Sequence, residues 1–244
     1  MRVLIFHEIV DEKINVWADI KLDKFVSILK LIKDEGYVAS SIRDAQNHSK
    51  SIVFTFDDGY KSDYELVLPL LLSYGFTATF FIVTSKVGSK GYMNWEDIIA
   101  LHKSGMEIGS HSSSHPFMST ISDKKLKFEM EDSKQTIETK LKTRISAFAY
   151  PFGDFSTKTN TFALEAGYKK ICSSRPGLLN VDDTFLNRNS IHSELSNSQI
   201  KKIIFGGKNS FYSKILFYLV IKFLKSIMGI DNYLKLKDRV FFRR

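Results

Sequence analysis

Four times along this chain a helical stretch stops at a glycine and hands over to a β-rich run. That rhythm constrains the architecture more than any other feature. An amphipathic stretch from Leu22 to Glu35, with Leu22, Phe25, Val26, Leu29 and Ile32 on one stripe, ends at Gly36 before Tyr37 and Val38. A second ends at Tyr74, before Gly75 and a run from Thr77 to Val83. A third spans Trp95 to Ser104, before Gly105 and Met106 to Gly109. The fourth ends at Ala166, before Gly167 and Tyr168 to Cys172. Glycine just past a helix suits the left-handed cap, because no Cβ opposes that conformation. Helices alternating with strands predict βα units and a parallel sheet, closed as a (β/α) barrel or open and doubly wound. Val3 to Phe6, Ser146 to Tyr150 and Phe185 to His192 read as further strands, and Lys124 to about Lys142 and Ser196 to Phe205 as helices. The pattern breaks at Gly206 and Gly207. A core domain is therefore expected over 1–207 and a basic, helical extension over 208–244.

The chemistry concentrates at Ser51-Ile52-Val53-Phe54-Thr55-Phe56-Asp57-Asp58-Gly59-Tyr60. The apolar run suits a buried strand. Two carboxylates at its end are costly unless something pairs with them. A glycine after them lets the chain turn and aim both at one site. Capping of the next helix by Asp57 or Asp58 is the plainer alternative.

In a parallel sheet, reactive residues belong at strand C-termini and in the loops that follow. His7 follows the first strand, and Asp57 and Asp58 the central one. His111 and His115 follow Met106 to Gly109, and Pro151-Phe152-Gly153-Asp154 follows Tyr150. The histidines are spaced i, i+4, which on a helical turn places both imidazoles on one face. Two histidines and one carboxylate make a metal site with room for water or substrate. The same trio also fits non-haem iron enzymes, though nothing here selects iron. A serine-rich solvent loop is the ordinary reading of His111 and His115 taken alone. His48 and His102 read as surface residues.

Together these stretches resemble a family. Thr-Phe-Asp-Asp-Gly-Tyr at 55–60, His-Ser-x-x-His at 111–115 and Tyr-Pro-Phe-Gly at 150–153 are similar, in order and spacing, to motifs of the polysaccharide deacetylases (carbohydrate esterase family four, the NodB homology domain). Trp95-Glu96-Asp97 sits where the family often has a Trp before a helix. The resemblance covers roughly residues 1 to 205. It implies a distorted (β/α) barrel of about seven parallel strands and hydrolysis of the N-acetyl group of an amino sugar. It further implies Asp58, His111 and His115 as metal ligands, Asp57 as general base, and the backbone N–H of Phe152 as oxyanion donor. Zinc is the expected divalent ion. Many members carry an arginine just ahead of the third motif's proline. Here Phe148-Ala149-Tyr150-Pro151 has none, which resembles the branch acting on poly-N-acetylglucosamine and surface saccharides and leaves Asp57 without its usual partner. His192, in Arg188-Asn189-Ser190-Ile191-His192, is the expected general acid. The alternative makes Arg188 and His192 plain strand residues, with His7 as rival acid, since Phe-His-Glu-Ile resembles the Tyr-His-x-Ile of this branch.

Two other readings compete. Adjacent carboxylates are badly placed for a glycosidase, whose two acids stand roughly 5 to 9 Å apart across the bond. A saccharide-binding protein on an impaired deacetylase scaffold stays open, because the usual arginine and a clear acid are lacking.

Composition bounds the remainder. The chain has 244 residues, 43% hydrophobic and 25% charged, enough for one large α/β domain or two small ones. The single cysteine, Cys172, rules out an internal disulfide and a zinc site built on cysteines. Net charge is +8. Much of the excess follows Lys201 and favours a negatively charged surface such as anionic lipid. Nucleic acid is not an expected partner, and no oligomeric state can be read. The four-residue apolar run after Arg2 is too short for a signal peptide, so the expected location is the cytoplasm, at the inner membrane face. Residues 211–228 are apolar around most of a helix, with Lys214, Lys222 and Lys225 on a narrow stripe. They read either as a helix packed on the barrel or a dimer contact, or as an interfacial helix on a membrane that carries a lipid-linked saccharide.

Overall fold

Strand β1 (Arg2–Phe6) is followed by the short strands β2 (Ile9–Val10) and β3 (Ile20–Lys21), then helix α1 (Leu22–Asp34) and β4 (Val38–Ser40). The central strand β5 (Ser51–Phe56) leads through a π-helical turn, Asp63–Val67, into α2 (Leu68–Tyr74) and β6 (Thr79–Ile82). Next come α3 (Trp95–Lys103), β7 (Glu107–Ser110), α4 (Asp123–Leu141), β8 (Ala147–Ala149), α5 (Thr157–Glu165) and β9 (Lys170–Cys172). Strands β10 (Phe185–Leu186) and β11 (Asn189–Ser190) and helix α6 (Asn197–Phe205) complete the set. The computed structural model describes residues 1–46, 50–178, 182–207, 215–216, 218–221, 223 and 229.

The main sheet runs β10-β9-β8-β7-β6-β5-β1-β11, with β4 also on β5, and its pairings are parallel. Its two ends, β10 and β11, are separated in sequence only by Asn187 and Arg188. Three Cα steps span at most about 11 Å, so the chain itself closes the sheet into a barrel with an irregular seam. This is the expected distorted barrel. The single strand expected over Phe185 to His192 is instead two short ones, because the chain crosses the seam between them.

Alternation along the strands sorts the core into two layers. Leu4, Phe6, Phe54, Phe56, Phe80, Ile82 and Phe148 pack outward against the helices, with Phe25, Ile28, Leu71 and Leu101. Val3, Val53, Phe81, Ala147, Ala149, Cys172 and Leu186 fill the barrel interior. Strands covered on both faces read as continuous apolar runs, which is why Ile52-Val53-Phe54 shows no polar alternation. The four glycines after helices all take positive φ, from 67° at Gly75 to 90° at Gly105. The π-turn before α2 is followed by Pro69, which has no N–H to donate to the carbonyl four residues back.

The extension expected over 208–244 falls largely outside the described residues, as does His48. The described positions from 215 to 223 are helical, and Leu216, Leu219, Val220 and Phe223 among them are exposed. No helix among the described residues is long and apolar enough to cross a membrane.

Candidate active site

The C-terminal ends of β1, β5, β7 and β8 deliver His7, Asp57 and Asp58, His111, and Pro151 to Asp154 to one end of the barrel. Asp58 and Gly59 both adopt left-handed backbone, φ 80° and 78°. The chain thus turns sharply off β5 while both acids stay buried, 3% and 8% exposed.

Asp58, His111 and His115 offer ligand atoms that lie within 4.8 Å of one another. Asp58 Oδ1 is 3.2 Å from His115 Nε2 and 3.9 Å from His111 Nε2. His111 Nδ1 is 2.8 Å from the Ala149 carbonyl oxygen. Donating that proton leaves Nε2 with its lone pair toward the cluster. Burial, then His111, pushes the His115 imidazole down to about 3 despite the nearby Asp58, and burial lowers His111 as well. Both rings are therefore neutral near pH 7, the form that ligates metal. Asp58 Oδ1 is buried without a hydrogen-bond partner. An orphaned carboxylate oxygen facing the nitrogens of two neutral imidazoles fits a divalent cation.

The histidines do not meet on a helical turn. Residues 111–116 form an irregular loop, with left-handed backbone at Ser112 (φ 69°) and His115 (φ 60°). Five described non-glycine residues have positive φ, and four of them, Asp58, Ser112, His115 and Phe152, belong to this site. Such clustering marks functional geometry held by its surroundings. The buried Glu129 of α4 grips the loop between the two histidines. Its carboxylate accepts from the N–H groups of Ser113 (3.0 Å) and Ser114 (2.7 Å) and from the Ser114 hydroxyl (2.5 Å).

Asp57 does have a guanidinium partner, contrary to the expectation from the third motif. Arg188, fully buried in the seam between β10 and β11, forks onto it, with Nη1–Oδ1 at 2.7 Å and Nη2–Oδ2 at 2.9 Å. Its Nε donates to the Ser173 carbonyl and Nη1 also to Thr55 Oγ1. Burial pushes the Asp57 carboxyl up, but Arg188, aided by His111, more than offsets this and holds it at about 2. Arg188 is thus not the plain strand residue of the alternative reading. Nothing local announced it, for it lies 131 residues from Asp57.

His192 stands two residues beyond β11, its ring edge-on to Trp17 at 5.1 Å. Of His192 and His7 it is His7, after His111, that helps to lower both the Asp57 and Asp58 carboxyls, and its Nδ1 is buried without a hydrogen-bond partner. Phe152, with φ 57°, sets its ring edge-on to the ligand candidate His115 at 4.5 Å.

A family model described as polysaccharide deacetylase matches residues 44–171, more than half of the chain. A Bacillus cereus protein named peptidoglycan-N-acetylglucosamine deacetylase is 34% identical over 58% of this chain and 63% of its own length. A Bacillus subtilis relative is 26% identical over 65% of this chain and 60% of its own. The chain thus spans less than two thirds of these curated relatives. The Streptococcus pyogenes deacetylase PplD, solved with acetate, superposes with a TM-score of 0.76 at 25% identity, covering 84% of this chain and 97% of that one. IcaB from Ammonifex degensii shares the fold, with a TM-score of 0.72 at 20% identity over 84% and 95% of the two chains.

Proposed function

The chain belongs to the polysaccharide deacetylase family, and from that premise we propose that it hydrolyses the N-acetyl group of an amino sugar in a polysaccharide or lipid-linked glycan. The observation that carries this reading is the pairing of two environments on consecutive residues. Asp58 faces two neutral imidazoles, and Asp57 is clamped by Arg188. A ligand set and a base stand side by side, which a saccharide-binding protein does not need.

Asp58, His111 and His115 would hold the cation, with zinc the first choice for mixed imidazole and carboxylate ligation. When bound, such an ion lowers the pKa of water and polarises a carbonyl oxygen. Asp57, fixed as a carboxylate by Arg188, accepts the proton of the attacking water. The Phe152 N–H donates to the amide oxygen as that oxygen gains negative charge. The amide C–N bond breaks, the leaving nitrogen takes a proton, and acetate and a free amine result. We assign that proton donor to His7 rather than His192, because His7 follows β1 beside both aspartates while His192 packs on Trp17.

Acetate release from N-acetylglucosamine oligomers and peptidoglycan fragments tests the reading. Turnover should vanish on chelation and return with a divalent ion. Folded, metal-loaded protein that releases no acetate from any of them would favour the binding-protein alternative. His7→Gln should lower turnover at least ten-fold and His192→Gln little, since a positioned acid contributes about 100-fold or more. The reverse order would restore His192.

A further inference from the structure

Folding alone accounts poorly for the side chain of Phe152. Its backbone lies in the left-handed region, φ 57° and ψ 9°, which a Cβ opposes. The residue is 50% exposed. Single exposed apolar residues need no explanation, but this ring is half of a rigid pair. It lies nearly parallel to Phe117, centroids 4.1 Å and planes 12° apart, and edge-on to the metal-ligand candidate His115. The loops bearing the two phenylalanines are latched together. Asp154 accepts from both the N–H (2.7 Å) and the hydroxyl (2.8 Å) of Ser119. A second stacked pair near the site, Tyr60 and Tyr92, has a different explanation. A backbone bridge joins those residues and Lys86 sits over Tyr92, so that pair fastens the 85–94 loop to the Asp58 turn.

We propose that the Phe117–Phe152 stack is a platform for a pyranose ring, the sugar next to the one that carries the reacting acetamide. This rests on the deacetylase reading only for the class of ligand. A pyranose turns axial C–H groups, slightly positive, to one face and keeps its hydroxyls around the rim. A phenyl face is the negative side of the ring quadrupole, so the two surfaces match while the hydroxyls stay in water. Phe152 touches His115 at the edge of the triad, so a ring lying on it is displaced to one side. The acetamide that reaches the triad then belongs to the neighbouring residue of the chain. Latching fixes the platform before ligand arrives, which lowers the ordering cost of binding. Phe117 is a positioning residue that backs the Phe152 ring.

Metal-free protein separates binding from turnover. Saturation-transfer NMR and calorimetric titration with N-acetylglucosamine and its β-1,4- and β-1,6-linked tetramers provide the readout. The unmodified protein should bind one of the tetramers more tightly than the monomer. Phe152→Ala and Phe117→Ala should lose about three- to ten-fold in tetramer affinity. Phe117→Ala should leave the monomer unaffected, and Phe152→Trp should retain tetramer binding. Equal tetramer affinity in all variants, equal losses on monomer and tetramer, or no tetramer binding by the unmodified protein would overturn the platform. If an alanine variant fails to fold, Phe152→Trp and Phe117→Leu still decide it, by retained and weakened binding respectively. Phe152-dependent tetramer binding without acetate release from metal-loaded protein sinks the deacetylase reading and leaves the platform. Acetate release with binding indifferent to Phe152 does the opposite.

Discussion

Asp57 and Asp58 are consecutive, yet Arg188 forks onto the first while His115 approaches the second. The difference comes from what the fold brings to each. A buried ion pair is poor evidence of stability in itself, but removing one partner strands the other's charge. Arg188→Met should therefore cost about 3–5 kcal/mol in the urea unfolding of metal-free protein. Adding Asp57→Asn to that variant should restore part of the loss, because the stranded charge is gone. A double variant less stable than Arg188→Met alone would show that Arg188 serves packing and not Asp57. The depressed Asp57 pKa also fixes a sign. Its contribution is complete above the ordinary value of 3.8 and is lost as pH falls to about 2.

Element by element, the features set by local rules were legible in the sequence. The four glycine caps, the βα rhythm, the two acids at the end of β5 and the strand-end histidines follow from periodicity and turn chemistry. What the sequence hid was set by closure of the barrel and by a distant helix. Arg188 gains its role only because β10 and β11 meet at the seam. Glu129 reads as one more charge on a polar helix until α4 packs under the 111–115 loop. The i, i+4 spacing of His111 and His115 suggested a helical turn, but left-handed Ser112 and His115 fold the loop otherwise. From the Glu129 grip follows an element-scale expectation. Glu129→Ala should weaken metal binding about 10–100-fold, as loss of outer support typically does. Glu129→Gln, which keeps acceptors for the loop, should lose less. Titration of the metal-free variants with zinc or cobalt measures this, and unchanged affinity in Glu129→Ala would remove the loop support from the account.

At the scale of the whole molecule, the buried neutral imidazoles make metal-free stability depend on pH. The unfolded chain protonates His115 near 6.5, while the folded state keeps it neutral to about 3. Stability should therefore be full above pH 6.5 and decline as pH falls toward 3, with His111 acting in the same direction. A thermal midpoint that stays flat from pH 7 to 4 would contradict the buried neutral pair. The exposed Leu216, Leu219, Val220 and Phe223 recur at helical spacing and carry the membrane-surface proposal for the C-terminal extension. The full chain should float with anionic vesicles, and a chain ending near Gly207 should not. Equal flotation of both would end that proposal. The central claim, one ligand carboxylate beside one base, is tested most directly by measuring metal content and acetate release on the same samples. Asp57→Asn should keep its metal and lose nearly all turnover, whereas Asp58→Asn should lose both. Equal metal loss in the two variants, or an active Asp57→Asn, would contradict the account.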